Sequence, residues 1–237
     1  MVSFLLRSAG LPLCWMIVAS WFGSSRLSAQ QTIDPTDSDT QAWMGVQIAF
    51  PLRERLNLIA SGTFRQGRDL THPVYEAAGA SLQFRVRKYL SLSPIYQFVA
   101  TQPYAAIHVI ENRFSINCSL TKPWKNVRFT NAHQLEERVR LPRNSQRYRS
   151  RLQVECPFQL RASEYQVFMA DEVFYDSITQ NWNRNRFFVG GGKRINSTVY
   201  LDVFLMKQNG TKILPRDVSA VGMTIRVKLD RLAHHLP

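Results

Sequence analysis

From Trp43 onward the chain alternates apolar and polar residues at period two, in runs of 11 to 16 residues separated by turn-forming residues. In the last run Val221, Met223, Ile225, Val227 and Leu229 share one face, while Gly222, Thr224, Arg226 and Lys228 share the other. Ala78, Ala80, Leu82, Phe84 and Val86 oppose Gly79, Ser81, Gln83, Arg85 and Arg87 in the same way. Further on, Ile110, Phe114, Ile116 and Leu120 oppose Glu111, Arg113, Ser115, Asn117 and Ser119. Period two with one apolar face is the pattern of strands. It predicts eleven of them, near 42–52, 55–66, 74–87, 90–101, 105–120, 126–140, 145–156, 164–175, 183–194, 198–208 and 217–229.

Strand length then decides the kind of sheet. Strands of globular proteins run to about 5–6 residues, whereas a strand crossing a bilayer at a tilt of about 45° needs about 9–11. The predicted fold is all-β: a single antiparallel up-and-down transmembrane β-barrel of about 10–12 strands. Single-chain bacterial barrels normally hold an even number, which favours twelve, with the extra strand inside 105–140. Dropping a strand near the N-terminus would give ten. The connections "PLRER", "RKYL", "TKPWKN" and "KRINS" read as tight turns, and "RQGRDLTHP", "RLPRNSQR", "DSITQNW" and "QNGTKILPRD" as long polar loops.

Before the barrel, residues 1–29 read as a signal peptide, with Arg7, the apolar run "GLPLCWMIVASWFG" and cleavage after Ala29. Residues 30–41 form a polar, acidic tail, 42–230 the barrel and 231–237 a C-terminal tail. No later apolar run approaches the ~18 residues of a helical span, so membrane residence must come through strands or surface attachment. The formal charge is +13 and falls to +11 without Arg7 and Arg26, which points to an anionic setting. Nucleic acid is excluded as the partner, because the bases alternate with apolar residues along strands and form neither a patch nor a basic helix. Cys118 and Cys156 have no zinc spacing, and their pairing stays open.

The densest charge lies in two runs separated only by "LPRNS". Arg128, Gln134, Glu136, Arg138 and Arg140 share a face in the first, and Arg147, Arg149, Arg151, Gln153 and Glu155 in the second. Facing each other in a lumen, these groups would pair as directional guanidinium–carboxylate contacts, either filling the lumen or forming a basic constriction that selects anions. In "DEVFYD" and "WNRNRFFVGGGKRIN", Glu172 is expected to face Arg184 or Arg186 across a hairpin, with Gly190 to Gly192 letting the strand coil or giving room to a bulky neighbour. Arg226 adds a lumenal base from the last strand.

No catalytic set is legible. His133 lies on the apolar face of its strand, where a membrane interface is the simpler role, and no G-x-S-x-G motif accompanies it. His72, His108, His234 and His235 are scattered, so no metal site is expected, and "GGGK" ends a strand, unlike a phosphate-binding loop that opens a helix. No cofactor is expected either.

The stretches "DEVFYD", "WNRNRFFVGGGKRIN", "LDVFLMKQNG" and "VGMTIRVKL" resemble the C-terminal half of the bacterial domain of unknown function 2490 family, and "PLRERLNLIASGTFRQ" and "RKYLSLSPIYQF" extend the resemblance over most of the chain. It implies an exported outer-membrane β-barrel and supplies no catalytic residues. The tail "DRLAHHLP" departs from an ending at an aromatic residue.

Together these features describe a monomeric barrel of the bacterial outer membrane, structural or pore-like and without catalysis. Its expected partners are outer-membrane lipid, lipopolysaccharide and a small anionic solute. Two alternatives stay open: a lipid-modifying hydrolase on the barrel wall, tested at His133, and a soluble periplasmic ligand-binding barrel whose apolar face would point inward.

Overall fold

The computed structural model describes residues 37–104, 107–161 and 163–229. The signal peptide, its cleavage site, most of the acidic tail and the C-terminal tail lie outside the described residues. Eleven strands form: β1 (Ser38–Arg53), β2 (Leu56–Gly67), β3 (His72–Arg85), β4 (Leu90–Tyr104), β5 (Ile107–Trp124), β6 (Val127–Arg140), β7 (Ser145–Leu160), β8 (Ser163–Asp176), β9 (Asn181–Arg194), β10 (Val199–Gly210) and β11 (Asp217–Lys228). Each pairs with its neighbour in sequence, and β1 meets β11 to close a barrel. Closure leaves no free edge, so every strand has hydrogen-bonding partners on both sides, the condition for a sheet placed in lipid.

Eleven is the number of alternating runs in the sequence, and the parity argument for twelve fails. The region 105–140 holds two long strands, β5 and β6, joined at Lys125, whose φ of 52° makes a two-residue turn. With an odd count the first and last strands run in the same direction, so β1 and β11 pair in parallel, with Ser38 opposite Asp217 and Ala49 opposite Lys228. The ten other ladders are antiparallel.

The barrel also begins earlier than its polarity suggested. Ser38–Gln41, assigned from sequence to the tail, belong to β1. Asp39 and Gln41 alternate inward and are buried, with Gln41 Nε2 donating to Asp39 at 2.7 Å and Trp43 Nε1 donating to Gln41 at 2.7 Å. Strands likewise absorb much of the supposed loops. At one end the described connections are 54–55, 86–89, 125–126 and 195–198; at the other they are 68–71, 141–144, 177–180 and 211–216. The two ends thus differ by only a residue or two per connection. We call the second the loop end.

Polarity runs outward-apolar. Ile110, Phe114, Ile116, Leu120, Val203, Leu205, Val221, Met223 and Ile225 are all exposed on the outer wall. From Ile110 to Leu120 the outer face of β5 advances about 33 Å along the strand, or about 23 Å along the axis at a tilt of ~45°. That matches the ~25 Å apolar band of outer-membrane barrels. Outward aromatics gather at two levels, as interfacial girdles do. Tyr148, Tyr175 and Trp182 make edge contacts towards the loop end, and the pairs Trp124–Phe129 and Phe158–Tyr165 lie at the other. The soluble-barrel alternative requires the opposite polarity and does not fit.

Candidate functional site in the barrel lumen

Register places all twelve residues of the expected lumenal network on the inner wall. From Arg128 opposite Glu155 to Arg138 opposite Ser145, the even-numbered residues of β6 and their odd-numbered partners on β7 point inward together, and the pairs between them point outward. Glu172 faces Arg186, and Phe174, not Glu172, faces Arg184. Sequence parity alone produced this placement, since side chains alternate strictly along a strand.

The side chains sort into three groups. The largest lies towards the loop end. Glu111 accepts from Arg113 at 2.7 Å and from Arg138 at 2.9 Å, with Arg140 at 3.6 Å. Arg138 also reaches Asp176 at 3.3 Å. Glu136 takes Arg147 at 2.6 Å, and Glu172 is approached by Arg149 at 3.5 Å, Arg186 at 3.7 Å and Arg151 at 3.9 Å. The amide of Gln134 links Arg149 to Glu136. Arg128 with Glu155 at 3.0 Å lies nearer the other end, and the amide of Gln153 ties it back to Arg151; Arg226 with Asp202 at 2.7 Å is a separate pair there. Arg184 forms no ion pair among the described residues and lies instead against the ring of Phe174, 5.6 Å from its centroid.

Three members of the network were not singled out from sequence: Glu111, Arg113 and Asp176. Glu111 and Arg113 had been placed on a polar face, but nothing local says that β5 contributes to a cluster centred on β6 to β8. Trp43 and Arg65 were missed altogether. Arg65 packs on the Trp43 ring at 3.8 Å and on Tyr75 at 4.2 Å, and Arg186 approaches the same tryptophan at 5.0 Å. Guanidinium groups held over aromatic faces gain a cation–π attraction that survives where water is scarce.

The rest of the lumen has two characters. On β1 and β8 to β11 the inner wall carries an apolar cluster of Trp43, Phe168, Ala170, Phe188, Met206, Val218 and Ala220, with Phe204 packed against it. Two of the three consecutive glycines give room to bulky neighbours: a Cβ at Gly190 would strike Phe168 and Phe204 of this wall, and one at Gly192 would strike Asp202 and Tyr200, whereas Gly191 has no such neighbour. Apart from Arg65 and Arg85 the inner positions of β2 to β4 are uncharged, and Ser61, Thr63, Gly79, Ser81 and Ser93 among them are small and leave space. A cavity of about 1060 Å³ opens towards the loop end and another of about 800 Å³ towards the turn end, and Gln47, Ile59 and Gln83 line both.

The outer wall holds His133. Its Nδ1 lies 2.6 Å from the Tyr148 hydroxyl and its ring stacks on that tyrosine, which joins it to the loop-end girdle. Cys118 and Ser150 are its register partners on either side. Asp171 and Glu172 face opposite ways, and Asp171 accepts from Asn185 at 2.8 Å on the outside. No group of histidine, cysteine and carboxylate residues with metal-site geometry is present among the described residues.

A closed barrel with an apolar exterior and a guanidinium-rich interior is the class that fold and site define. Within it, the chain belongs to the family described as protein of unknown function (DUF2490), whose model matches residues 40–217. Among solved structures it is similar to LpxR from Salmonella typhimurium, at 10% identity over 72% of this chain and 83% of that one, with a TM-score of 0.46. It is also similar to the siderophore receptor PirA from Pseudomonas aeruginosa, at 17% identity over 69% of this chain and 32% of that one, with a TM-score of 0.28. No curated protein matches the chain.

Proposed function

We propose that this protein is a narrow, anion-preferring pore of the bacterial outer membrane. The observation that carries the reading is the pair of lumenal cavities sharing Gln47, Ile59 and Gln83, the loop-end one bordered by ten basic side chains and three acidic ones. An anion entering at the loop end meets an excess of guanidinium, as in pores lined by rings of Arg and Lys. Its path then runs off-axis, along the small residues of β2 to β4, past the charge network of β5 to β9. The apolar belt and the girdles favour residence in lipid, in contact with outer-membrane lipid and lipopolysaccharide.

The test is to express the full chain in a Gram-negative host, recover it from outer membranes with a heat-dependent shift in gel mobility, and record conductance in planar bilayers under a salt gradient. A reversal potential of anionic sign is the expected result. Folded protein that carries no current would overturn the pore.

A second reading, a lipid hydrolase on the outer wall, has one observation in its favour. His133 and Ser150 are cross-strand partners, and Tyr148, which holds His133, also borders an apolar outer groove of about 1000 Å³. Hydrolysis would require an acid to orient the histidine, and the described partner is a tyrosine. Mass spectra of lipid extracts from cells carrying wild type, His133→Ala or Ser150→Ala decide it: identical lipids in all three exclude the hydrolase.

A further inference from the structure

Four guanidinium groups in the loop-end cavity are organised around two aromatic rings. Arg65 and Arg186 lie over Trp43 at 3.8 and 5.0 Å, and Arg186, Arg147 and Arg184 lie around Phe174 at 4.9, 5.2 and 5.6 Å. Arg186 belongs to both sets, so the four form one cluster. Two of them have carboxylate partners: Arg147 has Glu136 and Arg186 has Glu172. Arg65 and Arg184 have none among the described residues, and the Nε of each is enclosed without a hydrogen-bond partner. All four side chains border the same cavity.

The surroundings do not neutralise them. The ion-paired network supplies seven arginines (113, 138, 140, 147, 149, 151 and 186) against four carboxylates (Glu111, Glu136, Glu172 and Asp176). Adding Arg65 and Arg184 gives nine against four, an excess of five positive charges. Buried donors left unmade are costly, and like charges held together repel, so this arrangement is suited to an anion of more than one charge. Guanidinium forks match tetrahedral oxyanions in a bidentate way, which distinguishes such a ligand from chloride.

We propose that Arg65 and Arg184, with Arg147 and Arg186 beside them, form a binding site for a phosphate-bearing solute in the loop-end vestibule. The proposal deepens the anion-pore reading by naming the solute class, and it rests on that reading for its biological direction. The cavity, about 1060 Å³, is at the upper end of small-molecule sites. It holds a phosphorylated small metabolite as readily as free phosphate, and the experiment separates the two.

Calorimetric titration of the refolded full chain in detergent uses three probes: inorganic phosphate, glycerol 3-phosphate and chloride. Saturable binding of either phosphate probe, at least tenfold tighter than chloride, is expected. The tighter of the two identifies whether the ester or the free ion is preferred. Arg65→Gln and Arg184→Gln should each weaken phosphate binding at least tenfold, while Arg65→Lys and Arg184→Lys, which keep the charge and lose the fork, fall between. Heat-dependent gel mobility certifies folding of each variant, and the Lys variants serve where a Gln variant fails to fold. Phosphate binding no tighter than chloride, or folded variants that bind as wild type does, would overturn the site. Phosphate binding without bilayer current leaves the site standing and removes the pore; current without phosphate binding does the reverse.

Discussion

The ring of Phe204 on β10 occupies the space that a Cβ on its register partner Gly222 on β11 would need. Phe204 belongs to the apolar half of the lumen, next to Phe188 at 5.7 Å between centroids. The glycine is therefore a packing requirement of the inner wall. Gly222→Ala should destabilise the barrel by about 1–3 kcal/mol, the usual cost of overfilling a packed interior. Gly191 faces outward, where an added Cβ would meet the Gln166 carbonyl oxygen at an ordinary contact of 3.4 Å. Gly191→Ala is accordingly expected to stay within about 0.5 kcal/mol of wild type. Denaturant midpoints in lipid vesicles measure both; equal midpoints for the two variants would contradict the packing of Phe204.

Removing Arg138 tests the charge network. From sequence the expected casualty of Arg138→Ala is a glutamate left unpaired. The structure moves that role to Asp176, because Glu111 keeps Arg113 at 2.7 Å while Arg138 is the ion-pair partner found for Asp176. The loss should cost about 1–3 kcal/mol, the penalty of a buried group left without its partner. Arg138→Ala combined with Asp176→Asn should recover part of it. Unchanged unfolding in the single variant, or no recovery in the double, would show that the contact carries no stability.

Much of this barrel was readable because lipid and lumen impose opposite demands on successive residues. Val221, Met223 and Ile225 declare the outer face, and the same parity then fixes Arg226 inside without any knowledge of its partner. Partner choice was not readable. Asp176 is reached by Arg138, which is 38 residues away, and Arg65 and Arg186 meet on Trp43 across the lumen. Such contacts depend on closure, which a period-two pattern does not encode. The apolar inner wall was hidden for a related reason. Phe168, Phe188 and Met206 sit at polar-face parity, and only the curvature of the sheet brings them together.

Labelling tests the polarity directly. Ile225 is 36% exposed on the outer wall, while its neighbour Arg226 pairs with Asp202 inside. With Cys118 and Cys156 replaced by Ala, Ile225→Cys should react with a lipid-soluble maleimide and resist a charged one in vesicles. Arg226→Cys should show the reverse preference. Equal reaction of both positions with the charged reagent would place the strand in water on both faces and remove the membrane reading.

The parallel seam gives the sharpest test of the odd strand count. Met44 on β1 and Met223 on β11 are register partners, whereas Val203 on β10 is one strand further from Met44, since it pairs with Met223 on its other side. Neighbouring strands lie about 4.8 Å apart, so the first pair is within reach of a disulfide and the second, near 10 Å, exceeds the ~7 Å limit between Cα atoms. In a background without Cys118 and Cys156, Met44→Cys with Met223→Cys should cross-link under mild oxidation, and Met44→Cys with Val203→Cys should not. A protease site inserted in the 141–144 connection makes the readout simple, because the cut barrel then holds its two fragments together on a non-reducing denaturing gel only through the new bond. Fragments that separate after oxidation of the 44–223 variant would mean that another segment lies between β1 and β11, and the even count favoured by strand parity would return.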